Sequence, residues 1–253
     1  MHDQMLMTLH IRFSRSHGAH PALDGAAASC CLRTTTTTIN MSLTIQSQNK
    51  VFEGVLTKFS FRSKVLGGLE AKMNVFLPES ANAGHKVPVL YFLSGLTCTE
   101  DNAAQKGHFF EAAAKEQLAI VFPDTSPRGA NIPGEEDSWD FGTGAGFYVN
   151  ATKEPWNKYY NMYDHVLKEI PQLIASEQIP IDVSRASIFG HSMGGHGALV
   201  MYLREQAHFR SVSAFAPICH PTNCETGKKL FEGYLAGGID DGCLLYTSDA
   251  ADE

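Results

Sequence analysis

Alternation of apolar and polar positions dominates the first half of the folded part of this chain. Apolar residues alternate with polar ones through Val55–Phe61, and a second alternating run, Glu70–Leu77, follows the glycine pair Gly67-Gly68. A period of two on both sides of a short glycine-containing connection is typical of a β-hairpin. We therefore predict two antiparallel strands here, each with one face covered.

Further along, the pattern changes to continuous apolar runs separated by helical periodicity. The predicted strands are Val87–Leu93, Leu118–Phe122, Arg185–Phe189 and Phe209–Phe215, and the predicted helices are about Phe109–Gln117, Tyr160–Glu177 with a kink at Pro171, and Gly195–Gln206. Strands without alternation are typical of a parallel sheet that is covered on both faces. The alternating β-α-β-α order predicts the α/β class, with a mostly parallel central sheet and helices on both faces.

The pentapeptide Gly190-His191-Ser192-Met193-Gly194 lies between the third of these apolar strands and the last helix. It matches the G-x-S-x-G nucleophile elbow, in which a sharp strand-to-helix turn lifts a serine hydroxyl out of the sheet. The strand before it and the helix after it argue against a chance match in a glycine-rich turn. We predict Ser192 as a catalytic nucleophile and the Met193 N–H as one donor to an oxyanion.

A second oxyanion donor is expected in the loop that follows the first apolar strand. That loop is Ser94-Gly-Leu-Thr-Cys98, where Gly95 permits a tight turn and the Leu96 N–H is the best-placed donor. An ordinary turn at the end of a strand is the alternative interpretation. Cys98 lies in the same loop, either as a redox-sensitive thiol or as a buried bystander.

The histidines near the elbow do not identify a base. His191 and His196 flank Ser192, but in this kind of site the base arrives from far downstream, so neither is favoured. His165 lies within a predicted helix and is assigned to packing or to the surface. The long segment Asp124–Tyr159 is rich in glycine and proline, and loops of this length are usually functional.

Composition excludes several classes of partner. The net charge of −7 disfavours nucleic acid or an anionic membrane as the main partner, and no apolar run is long enough to span a bilayer. Six cysteines are present without a C-x-x-C pair, which indicates reduced thiols in a soluble cytoplasmic enzyme and no metal site.

The chain divides into three parts. Residues 1–40 hold four histidines and a threonine run without apolar periodicity, so we expect a disordered extension, with Met41 as a natural start. Residues 41–239 form the predicted folded domain. Residues 240–253 differ in character, and we interpret them as a tail of artefactual origin.

Four separated motifs together resemble the S-formylglutathione hydrolase family, also called esterase D. They are Ser94–Thr99, Asp137–Tyr148, Gly190–Ala198 and Phe215–Cys219, within a similar region from about Met41 to about Gly238. The resemblance implies an α/β-hydrolase that cleaves S-formylglutathione to glutathione and formate without metal or organic cofactor. It implies Ser192 as nucleophile, the N–H groups of Leu96 and Met193 as the oxyanion hole, and a homodimer. It places the Trp139–Tyr148 loop at the acyl pocket, for which we name Cys98, Trp139 and His191.

The usual chain order Ser…Asp/Glu…His is not completed after Ser192. The first aspartates that follow are Asp240 and Asp241, and no histidine follows them. We expect the last strands and the final helix of the family to be missing, which would leave an exposed sheet edge, a poorly stable chain and little activity. The alternatives are a general carboxylesterase or acyltransferase of the same fold, and a non-catalytic binding module.

Overall fold

The computed structural model describes residues 8–12, 42–82 and 84–246, with residues 8–12 and 243–246 described by their backbone alone. The strands in these residues are β1 Thr8–Arg12, β2 Thr44–Lys50, β3 Gly54–Arg62, β4 Glu70–Pro78, β5 Val87–Leu93, β6 Ala119–Pro123, β7 Ile181–His191 and β8 Phe209–Phe215. They form one sheet in the order β1-β8-β7-β5-β6-β4-β3-β2.

The centre of the sheet is parallel and its flanks are antiparallel. Strands β6, β5, β7 and β8 are parallel neighbours, whereas β2, β3 and β4 form an antiparallel meander joined to β6. The predicted hairpin is confirmed, because β3 and β4 pair along their whole length and both turn glycines have positive φ, 65° at Gly67 and 83° at Gly68. The predicted α/β class with a mostly parallel centre is confirmed as well.

The central strands separate two hydrophobic cores, one on each face of the sheet. In β5, Val89 and Tyr91 contribute to one core, while Leu90 and Phe92 contact the other. This follows from the two-residue period of a strand, since successive side chains point to opposite faces. Both faces of β5 are thus apolar, and this explains the continuous apolar run in the sequence.

Seven α-helices lie in the described residues: α1 Glu100–Lys106, α2 Phe110–Lys115, α3 Met162–Asp164, α4 Ile170–Ser176, α5 Met193–Arg204, α6 Glu225–Tyr234 and α7 Gly238–Tyr246. Helices α2 and α5 were predicted with boundaries within two residues of those observed. Helix α1 was not predicted, because its sequence is mostly polar. Its start carries a capping box in which Thr99 accepts from the Asp101 N–H and the Asn102 side chain accepts from the Thr99 N–H.

The predicted kinked helix over Tyr160–Glu177 is observed as three consecutive helical pieces. A five-residue π-helical turn, His165–Glu169, joins α3 to α4, and Pro171 stands in the first turn of α4. Proline has no N–H to donate to a carbonyl of the preceding turn, so the regular hydrogen-bond ladder is interrupted upstream of it. The irregularity therefore falls before Pro171.

A strand near the start of the described chain pairs with β8, and a helix spans residue 240. Strand β1 pairs antiparallel with β8 from Thr8↔Phe215 to Arg12↔Ser211, so the edge of β8 that we expected to be exposed is covered. A strand within residues 1–40 was not anticipated; the rest of that stretch lies outside the described residues. The tail predicted from residue 240 begins inside α7, which packs beside α6.

Candidate active site

Ser192 occupies the turn between β7 and α5 with a strained backbone, at φ 55° and ψ −119°. A non-glycine residue in this region is held there only when its surroundings enforce it. The surroundings are tight: a methyl group on Gly190 would lie 2.2 Å from the Gly194 carbonyl oxygen, and one on Gly194 would lie 2.0 Å from that of Leu93. The Ser192 N–H donates to the Phe215 carbonyl at 2.9 Å, which ties the turn to β8. The structure thus has the geometry of a nucleophile elbow.

The predicted oxyanion loop lies directly against this serine. A methyl group on Gly95 would be 3.3 Å from Ser192 Cβ, so the two segments are in close contact. Two N–H groups of the loop are already used, that of Thr97 by the Gly144 carbonyl and that of Cys98 by the Gly95 carbonyl. The Leu96 N–H has no acceptor among the described residues. Met193 is the first residue of α5, where an N–H has no partner within the helix. Both predicted donors are therefore available.

The far end of the oxyanion loop is fixed by the segment that follows β6. The Cys98 carbonyl accepts from Thr125 Oγ1 at 2.5 Å and from Arg128 Nη2 at 3.0 Å. Asp124 holds the guanidinium in place through Arg128 Nε at 3.0 Å and Nη2 at 2.7 Å. Burial acts to lower the Arg128 pKa, but the bond to Asp124 outweighs it and the pKa is raised. A charged, permanently cationic clamp therefore positions the loop.

Tyr148 lies between the predicted oxyanion loop and α5 and contacts both. Its hydroxyl donates to the Ser94 carbonyl at 2.8 Å. Its ring packs directly on Gly197, since a methyl group added to that glycine would lie 2.7 Å from Tyr148 Cδ2. Burial raises the Tyr148 pKa well above its usual range, so the hydroxyl stays protonated and continues to donate. Tyr148 lies in the Asp137–Tyr148 motif, but no individual role was predicted for it. Nothing in local periodicity reveals a contact across 54 residues.

The three residues named for the substrate pocket have different surroundings. His191 is exposed at the end of β7, and its Nδ1 would be 3.5 Å from a methyl group on Gly95. Cys98 is half-buried, and burial raises the pKa of its thiol, which favours the protonated, unreactive form. Trp139 is 67 % exposed, so it does not form an enclosed wall. Their roles in substrate binding stay predictions.

No imidazole is hydrogen-bonded to Ser192 Oγ within the described residues. His196 is buried in the first turn of α5; burial lowers its pKa to about 4, against the opposing effect of a backbone bond with Ile218. His165 Nδ1 lies 2.7 Å from Glu169 Oε2 on the π-helical turn and stacks on Phe61, which assigns it to packing, as predicted. Ser192 and the loop with the predicted oxyanion donors thus lie together without a base in contact among the described residues.

Comparison with known proteins identifies the family. A family profile described as "Putative esterase" matches residues 63–241. The chain is 54 % identical over 195 residues to the S-formylglutathione hydrolase of Mus musculus. The aligned region covers 77 % of this chain and 68 % of the mouse protein. The chain belongs to the S-formylglutathione hydrolase family.

Other S-formylglutathione hydrolases agree with this assignment. The Arabidopsis thaliana protein is 51 % identical over 186 residues, covering 74 % of this chain and 65 % of that relative. The solved S-formylglutathione hydrolase of Agrobacterium tumefaciens matches with a TM-score of 0.75 and 44 % identity, covering 80 % of this chain and 72 % of that structure. The predicted family and its α/β-hydrolase-type fold are confirmed.

Proposed function

We propose that this chain acts on S-formylglutathione as a serine thioesterase, releasing glutathione and formate. The observation that carries the proposal is the strained Ser192 turn with Gly95 packed against it, in a chain 54 % identical to a curated S-formylglutathione hydrolase. A nucleophile elbow alone is compatible with many ester and thioester substrates. Its combination with this degree of identity favours the glutathione thioester.

The arrangement suits acyl transfer. Ser192 Oγ attacks the formyl carbon, the hydroxyl proton passes to a base, and the carbonyl oxygen becomes an oxyanion that the N–H groups of Leu96 and Met193 stabilise. Loss of one such donor typically costs about 2.7–4 kcal/mol in the transition state. The C–S bond then breaks, glutathione leaves as the thiolate, and water hydrolyses the formyl-serine to formate.

A serine hydroxyl is a weak nucleophile at neutral pH unless a base accepts its proton. Within the described residues no such base contacts Ser192. We therefore propose that this polypeptide acylates slowly and turns over poorly.

Labelling of Ser192 tests the proposal. A fluorophosphonate probe should modify the protein slowly, with mass spectrometry locating the adduct on Ser192 and none on Ser192→Ala. S-formylglutathione should be hydrolysed at a low rate that Ser192→Ala abolishes. Turnover equal to that of the mouse enzyme would contradict the slow-acylation part, and hydrolysis that survives Ser192→Ala would contradict the assignment of the nucleophile.

Substrate preference separates the proposal from a general carboxylesterase. We expect S-formylglutathione to react faster than a simple aryl ester, and the opposite order would favour the general esterase. Among the described residues no helix has the length and apolar character needed to cross a membrane. A cytoplasmic location and a homodimer are further proposals supported by the family resemblance, and sedimentation velocity would test the dimer.

A further inference from the structure

A charged cavity of about 420 Å³ opens beside the oxyanion loop and has no role in the chemistry above. Strands β3 and β4, the start of α1 and the segment after β6 contribute to its lining. Its volume is within the range usual for small-molecule sites. Lysine, arginine and carboxylate side chains dominate the lining, so a charged ligand would suit it better than an apolar one.

Most of these charges already have partners. Lys58 Nζ lies 2.7 Å from Glu100 Oε1 and 2.6 Å from Asp101 Oδ2, and Arg128 is paired with Asp124. Glu70 and Lys72 are the exceptions: in the described chain neither side chain lies within ion-pair distance of an opposite charge. One carboxylate and one ammonium at the cavity are therefore available to a ligand.

Glu70 and Lys72 are placed to act together. They are alternate residues of β4, so they project from the same face of the sheet about 7 Å apart. Both are exposed, while Ala71 between them is buried in the core on the other face. Such a pair complements a ligand group that carries an ammonium and a carboxylate on the same carbon atom.

The cavity is within reach of Ser192. The bond from the Cys98 N–H to the Gly95 carbonyl closes a turn, which holds the two Cα atoms within about 7 Å. Thr99, one residue further, lines the cavity, so its Cα is at most about 11 Å from that of Gly95. Gly95 in turn contacts Ser192. The Thr99 edge of the cavity is therefore at most about 11 Å from the glycine that contacts Ser192, and a ligand whose reacting carbonyl is at Ser192 would enter the cavity from that edge.

We propose that this cavity binds the γ-glutamyl end of a glutathione thioester, with Lys72 pairing with its α-carboxylate and Glu70 with its α-ammonium. This rests on the proposed function. Glutathione has the right form, because its γ-glutamyl end is an amino-acid zwitterion, and roughly 9 Å of extended chain separates the α-carbon of that end from the sulfur of the central cysteine. The cavity thereby recognises the glutathione part of the substrate, while the oxyanion loop contacts the acyl group.

The test uses binding and does not depend on turnover. S-methylglutathione, which has no acyl group to lose, is titrated into the protein by calorimetry. Lys72→Ala and Glu70→Gln should each weaken binding about three- to tenfold, as expected for partly exposed charge-assisted contacts. Lys64→Ala removes an exposed lysine of the same hairpin that does not line the cavity, and it should leave affinity unchanged.

A modified ligand identifies which charge meets which residue. N-acetyl-S-methylglutathione has no α-ammonium, so it should bind more weakly to the unaltered protein, and Glu70→Gln should cause no further loss. Lys72→Ala should still weaken it. Undetectable binding of S-methylglutathione at millimolar concentration, or equal affinity in all three variants, would overturn the proposal. Because Ser192 labelling by a neutral fluorophosphonate is measured separately, failure here is distinguishable from failure of the proposed thioesterase.

Discussion

At the scale of single residues, the site depends on groups that are buried with their protonation state fixed. Tyr148 stays protonated because burial raises its pKa, and His196 stays neutral because burial lowers its pKa to about 4. Both flank the elbow, Tyr148 through Ser94 and Gly197 and His196 through its N–H bond to the Ser192 carbonyl at 3.1 Å. These two side chains therefore place no titrating charge beside Ser192 at neutral pH.

His196 makes stability fall in mild acid. Its folded pKa of about 4 lies below the unfolded value of 6.5, so between these values the unfolded chain binds the additional proton and stability is lost as pH falls. The total loss across this window is about 3 kcal/mol. Urea unfolding at pH 7 and pH 5 should show a drop that is smaller in His196→Gln. An equal drop in both proteins would assign the acid sensitivity to other groups.

Roles of single residues could be predicted from the sequence only where the residues of a motif are close together along the chain. Ser192, Leu96 and Met193 could be named because the elbow and the loop after β5 have fixed spacings along the chain. Arg128 and Tyr148 could not be assigned roles, since they act on Cys98 and Ser94 across 30 and 54 residues. Trp139 was expected at a pocket because of its motif, but its side chain is largely exposed. The fold of the long loop decides this exposure, and the motif alone does not predict it.

At the scale of elements, boundaries were predictable where burial imposes a pattern. Strands β5 and β8 were predicted with the bounds observed, because their core-facing positions are set by packing on the sheet. Strand β2 was missed: all seven of its residues, TIQSQNK, are exposed, so no apolar face marks it. Helix α6 was missed as well, although it holds Tyr234 against the loop that supports the active site.

Replacing Gly95 by alanine should disturb the contact between the predicted oxyanion loop and Ser192. The added methyl group would lie 3.3 Å from Ser192 Cβ, closer than most such contacts, so the loop must shift by a few tenths of an ångström. Misplaced donors lose part of their effect on the transition state, and we expect fluorophosphonate labelling of Ser192 to slow about tenfold. Gly84→Ala, where the nearest atom would be at 3.5 Å, is the control and should label normally. Equal rates in both variants would contradict close loop contact.

Tyr234 connects α6 to the active-site loop. Its hydroxyl accepts from the Gly142 N–H at 2.8 Å and donates to the Ala145 carbonyl at 3.0 Å, and between them the Gly144 carbonyl accepts from Thr97. Tyr234→Phe keeps the ring stacked on Phe141 but leaves two buried backbone groups unpaired.

We expect Tyr234→Phe to lower the free energy of unfolding by about 1–3 kcal/mol and to slow Ser192 labelling, because the support of Thr97 is weakened. Tyr159→Phe is a matched control, since the Tyr159 hydroxyl has no hydrogen-bond partner among the described residues. Chemical denaturation and labelling kinetics measure the two effects. A Tyr234→Phe protein as stable as Tyr159→Phe would show that water replaces the lost bonds without cost.

At the scale of the whole molecule, the strand that supports Ser192 lies next to the edge strand of the sheet. β8 supports Ser192 through the Phe215 carbonyl, and β1 pairs with β8 on its other side, with Thr8 opposite that same Phe215. The elbow is thus two hydrogen-bonded steps from the edge of the sheet. Residues 1–40 were expected to be disordered because they lack apolar periodicity. A five-residue strand such as Thr8–Arg12 gives no such signal until the edge it pairs with is known.

Removing β1 should therefore destabilise the sheet and promote association. Deletion of residues 1–12 removes the five-residue ladder and exposes the backbone edge of β8, and such edges pair with other chains. We expect a lower Tm than in the full chain and concentration-dependent oligomers in size-exclusion chromatography with light scattering. Deletion of residues 1–7 keeps β1 and should match the full chain. If the two deletions behave alike, the pairing of β1 with β8 contributes nothing to stability, and Ser192 is held by β7, α5 and β8 alone.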